Sequence, residues 1–199
     1  MPDAQRRLER QAVTLESLTL AWNVAGVALL AVLALAARSV ALAGFGLDSL
    51  VEIGASTLVL WELRGVHRER ERRALTLIGV SFVLIAAYLA VQSIVTLVAR
   101  DRPHHSPGGI AWTGATALVM FALAWGKGRV GVRLGRNVLI HESRVTFVDG
   151  LLAVAILIGL SLNALAGWWW ADPAATFVIV GYGVREAREV MRARRRFGP

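Results

Sequence analysis

The sequence predicts an all-α integral membrane protein, a bundle of six transmembrane helices with both termini in the cytoplasm. Three observations carry this. The 199 residues are 56% hydrophobic, with a mean hydropathy of +0.56, more apolar than a water-soluble domain of this length. Apolar windows of about 20 residues, each able to cross a hydrocarbon core about 30 Å thick, recur along the whole chain. The basic residues cluster between those windows, in alternate connectors.

The first helix is expected over residues 16–37, where the apolar run Leu18 to Ala37 follows Arg6, Arg7 and Arg10. The second begins after Arg38 and covers 40–63. The connector RGVHRERERR, Arg64 to Arg73, carries five arginines and leads to a third helix over 74–98. ARDRPHHSPGG, Ala99 to Gly109, is a polar loop before a fourth helix over 110–126. GKGRVGVRLGR, Gly126 to Arg136, reads as a Gly- and Arg-rich connector holding Lys127, Arg129, Arg133 and Arg136. The fifth helix is expected over 137–166. GWWWADP, Gly167 to Pro173, makes a turn with interfacial Trp side chains and a Pro suited to a helix start. The sixth helix, 172–192, has a short apolar part, turns amphipathic and runs into MRARRRFGP.

Six crossings place every basic cluster on the cytoplasmic side, since the remaining connectors hold only Arg38, Arg100 and Arg102. The expectation is a single transmembrane domain over 1–199, without a soluble C-terminal domain, in a bacterial inner (plasma) membrane. The net charge of +8 then reads as membrane orientation, not as nucleic-acid binding. No cysteine is present, which excludes disulfides and thiolate metal sites. No cleavable signal peptide is apparent at Met1 to Gln11. No nucleophile–base pair, HExxH or phosphate loop points to an enzyme.

Four acids fall inside apolar runs: Asp48, Glu52, Glu142 and Asp149. A carboxylate at bilayer depth costs about 2.5–3.5 kcal/mol on insertion scales and marks a pathway or relay. Asp48 and Glu52 are four apart, so they share a helical face about 6 Å apart along the axis. Two such groups repel unless a cation or proton lies between them. Glu52 and Asp149 both fall near mid-depth of their helices, so two helices can bring acids to one level, as a metal site requires. No Lys or Arg is expected at that depth, Arg144 being placed to snorkel toward the inner surface. The bland alternative is that these acids are protonated or serve helix contacts.

These residues resemble the cation diffusion facilitator (cation efflux) family, six-helix exporters of zinc and related ions. The likeness rests on LDSLVEIGAS with Asp48 and Glu52, VTFVDGLLA with Asp149, YLAVQS (Tyr88 to Ser93) and GWWWADP, in order along almost the whole chain. It implies that Asp48, Glu52 and Asp149 bind the transported cation. Two departures stand out. Four residues before Asp149, where the family carries a His or Asp, stands Val145, which cannot ligate. Thr146 can offer a hydroxyl, and Glu142, seven before Asp149, returns to the same face about 10 Å away along the axis. His141 lies on a different face. The second departure is that the chain stops at Pro199, without the family's cytoplasmic metal-binding domain, as in a shorter branch of the family.

The expected cargo is Zn2+, with Mn2+, Fe2+ and Co2+ open, because an oxygen-rich ligand set also suits harder ions. The resemblance implies antiport with protons by alternating access, since binding a metal displaces protons from its ligands. No prosthetic group is implied. The partners expected are the divalent ion, protons and the lipid bilayer, with a homodimer through membrane helices as a further option and no nucleic acid. Asp101, His104 and His105 could form a loose exit site; His67 lies in the topology-setting connector. The rival reading is a non-transporting membrane scaffold or assembly protein sharing the fold.

Overall fold

The computed structural model describes residues 2–63, 68–100 and 102–196. They form six helices: α1 (Pro2–Ala37), α2 (Val40–Leu63), α3 (Arg68–Ala99), α4 (Pro107–Leu134), α5 (Asn137–Ala166) and α6 (Ala171–Arg196). Among the described residues, three stretches are long and apolar enough to cross a membrane: Ala4–Ala37, Pro107–Leu134 and Glu142–Ala166.

The bounds of α2 and α5 are those the apolar runs predict. The other four helices run further, because polar and charged residues continue a helix past the end of its apolar window. α1 starts furthest ahead of its expected bound, and α4 carries on through Gly126 and Gly128 instead of breaking there. It stops at Gly135, whose φ of 63° gives a left-handed cap that side chains with a Cβ disfavour. Lys127 is therefore inside a helix and not in a connector. At the other end of α4, Ser106 caps the helix by accepting from the Gly109 amide, with Pro107 in the first turn.

The helices pack chiefly as the pairs α1 with α2, α3 with α6 and α4 with α5, and α2 also touches α3, α5 and α6. Small residues allow the close approaches. A Cβ on Gly159 would meet the Ala171 carbonyl oxygen at 2.9 Å, so α5 passes the start of α6 almost backbone to backbone. The start of α2 is pinned to α6 as well. Asp172 accepts from the Ser39 hydroxyl and from the Ala41 amide, satisfying a helix N-terminus in a buried position.

The core is of two kinds. One end of the bundle holds an apolar cluster built from Leu30 and Ala34 of α1, Leu42 and Phe45 of α2, Leu89 of α3, Ile156 and Leu160 of α5, and Ile179 of α6. The other end buries polar side chains from α1, α2, α4 and α5.

Candidate functional site

The polar end arises because three helices change chemistry midway. The buried stripe of α1 runs Ala12, Glu16, Thr19, Asn23, Gly26, Leu30, Ala34 at helical spacing of three and four, polar first and apolar after. Antiparallel to it, α2 runs from Ala41, Leu42 and Phe45 to Asp48, Glu52 and Ser56. α5 presents Glu142, Thr146 and Asp149 on one face, followed by Leu152, Ile156 and Leu160. α4 contributes Lys127.

All five residues that the sequence singled out are buried: Asp48 and Glu52 at 4% exposure, Asp149 at 1%, Glu142 at 5% and Thr146 at 0%. Neither oxygen of Asp149 has a hydrogen-bond partner, nor does Oε2 of Glu52. Glu52 lies within electrostatic reach of Asp48, Asp149, Glu142 and Lys127. Carboxyl groups so placed leave oxygen lone pairs unsatisfied in a dry interior, a costly arrangement that a proton or a cation relieves. Among the described residues, however, no three His, Cys, Asp or Glu side chains stand close enough to hold one metal ion. The acids of α2 and α5 share a region and do not converge on a point.

Lys127 corrects the expectation that no basic residue shares the depth of the acids. Its side chain is fully buried, and its Nζ donates to Glu16 Oε2 at 3.0 Å, to Thr146 Oγ1 at 3.0 Å and to Glu142 Oε1 at 3.4 Å. The physical reason is the unbroken α4, which carries the residue past the expected helix end and turns it inward. Glu142 and Thr146, expected as ligands beside Asp149, are thus engaged by an ammonium group. Glu16, which lies just before the apolar run Leu18 to Ala37 and outside the four acids singled out in the sequence, is fully buried in the same cluster. Asp172 is likewise buried, as the cap on α2.

Signals for both missed residues exist. Lys127 is the one lysine among the 22 lysine and arginine residues of the chain. Glu16 continues the α1 stripe toward its N-terminal end at the same spacing.

The remaining candidates lie elsewhere. On the loop before α4, the His104 amide donates to the Ala37 carbonyl and its Nδ1 is 3.4 Å from the Ala36 carbonyl, so this histidine closes the end of α1. His105 is exposed. His67 and Asp101 lie outside the described residues, as does the side chain of His141. Arg144 is exposed, on the opposite side of α5 from the acids. Trp168 and Trp170 stack on each other in the turn before α6, each about half-exposed.

No family model matches the chain. It is 26% identical over 147 residues to an uncharacterized transporter of Synechocystis sp. (strain ATCC 27184 / PCC 6803 / Kazusa). That alignment takes in 68% of this chain and 47% of the relative, so the chain spans about half of the relative's length. Three described helical stretches are long and apolar enough to span a bilayer, which fits a helical membrane protein.

Proposed function

We propose that the chain is a transporter of a divalent metal cation, most simply Zn2+, exported from the cytoplasm in exchange for protons. The six helices then cross the membrane as one domain with both termini inside, which puts the polar end of the bundle on the cytoplasmic side of a bacterial inner membrane. The cation is held by Glu52 and Asp149, with Asp48 one helical turn from Glu52. Glu142 and Thr146 are outside this ligand set while Lys127 holds them.

The observation that supports this best is Asp149, a carboxyl group buried to 1% exposure whose two oxygens have no hydrogen-bond partner. A scaffold gains nothing from such a group, since a polar atom buried without a partner destabilises the fold. A carrier gains a great deal, because the same oxygens can bind a cation in one state and a proton in another. The spacing of the acids in the present arrangement calls for a movement of α2 against α5 before both close on one ion. A state change of this kind is what alternating access requires.

Zinc flux into proteoliposomes, followed with an interior zinc-sensitive dye, tests the reading. The expected result is flux that depends on a pH gradient and disappears in the Glu52→Gln/Asp149→Asn double variant. Flux unaffected by the gradient removes the exchange with protons. Absence of any metal-dependent signal in the wild type leaves the scaffold reading standing.

A further inference from the structure

The transport reading rests on Glu52 and Asp149 and leaves Lys127 and its neighbours without a role. An ammonium has three N–H donors, and here three acceptors from two other helices meet it: Glu16 Oε2 from α1, and Glu142 Oε1 and Thr146 Oγ1 from α5. Two carboxylates and a hydroxyl around one positive charge form the donor set that hard divalent cations take. The cluster also holds more acceptor capacity than the lysine uses. Glu16 is fully buried, yet its Oε1 has no hydrogen-bond partner. A purely structural ion pair needs one carboxylate per ammonium, and a second buried carboxylate adds desolvation cost without balancing the charge.

We infer that Glu16, Glu142 and Thr146 form a divalent-cation site whose resident occupant is the tethered ammonium of Lys127. The lysine keeps a guest ion from settling there and so confines cation binding to the neighbouring Glu52 and Asp149. Thr146 and Asp149 are three residues apart on α5, so the two sites adjoin along one helix face. The meaning of this site for transport rests on the proposed function. The existence of the site does not.

The experiment uses the full chain purified in detergent with Glu52→Gln and Asp149→Asn already in place, and Mn2+ alone as the probe. Free Mn2+ is counted from its electron paramagnetic resonance signal, and thermal stability is followed in parallel. Adding Lys127→Met is expected to create binding of one Mn2+ per chain, about tenfold or more tighter than in the parent, and a melting temperature that rises with Mn2+. Adding Glu142→Gln as well is expected to abolish both effects. A folded Lys127→Met variant that binds Mn2+ no better than its parent overturns the inference. Should that variant need Mn2+ to fold, Mn2+ during purification is expected to rescue it, and Lys127→Ser is read in the same way. Failure of both variants to fold with Mn2+ present also overturns it, because a true cation site would be filled. Since the parent lacks the Glu52 and Asp149 carboxylates, this outcome is independent of the zinc-flux result.

Discussion

The two ends of this bundle are built from largely the same helices and held together in opposite ways. At the apolar end, Leu42, Phe45, Leu89, Ile156, Leu160 and Ile179 interlock, and Gly159 lets α5 meet the start of α6 closely. Nothing in that cluster is left wanting a partner, and its worth is packing. At the polar end, one lysine ties three helices together, while Asp149, Glu52 and Glu16 keep oxygens without hydrogen bonds. A fold under selection for stability alone would have no use for the second arrangement. On the proposed function, the apolar end seals the molecule and the polar end takes the guest.

Substitutions can break that contrast, and the largest effect is expected at Lys127. Lys127→Ala leaves Glu16 and Glu142 as buried carboxylates without a counter-charge, and such a loss costs about 3–5 kcal/mol. The check is reversible unfolding in mixed micelles without divalent ions; a loss below about 1 kcal/mol would show that the cluster is not desolvated in the membrane protein. At the apolar end, Leu42→Ala removes a fully buried side chain and should cost about 2–5 kcal/mol, by an amount that does not change with added metal. A metal-dependent cost there would erase the distinction between the ends.

Smaller effects sharpen the comparison. Ser39→Ala removes the one side-chain donor to Asp172 among the groups that satisfy it and loosens the start of α2, for about 1 kcal/mol in the same assay. Asp149→Asn runs the other way. Replacing an unpartnered buried carboxyl by a neutral amide should leave stability unchanged or raise it by up to about 1 kcal/mol, as substitutions at functional sites commonly do. A marked loss of stability would instead mean that Asp149 has a structural partner.

Much of this division is legible in the sequence. The bounds of α2 and α5 follow from apolar runs that begin and end cleanly, and the burial of Asp48, Glu52 and Asp149 follows from acids set deep inside them. The lysine cluster does not follow. A lysine flanked by Gly126 and Gly128 has the local signature of a connector, and only packing against α1 and α5 shows the helix continuing through it. Glu16 escaped for a related reason, since an apolar window starts two residues after it although the helix begins at Pro2. Hydropathy reports where a membrane can lie, whereas pairing between distant helices decides which charges meet.

The most direct measurement is isothermal titration of the detergent-purified chain with Zn2+, comparing the wild type with Asp149→Ala. The account predicts saturable binding by the wild type and a loss of about tenfold or more in affinity for the variant. Equal binding by the two proteins, or none by either, would contradict it.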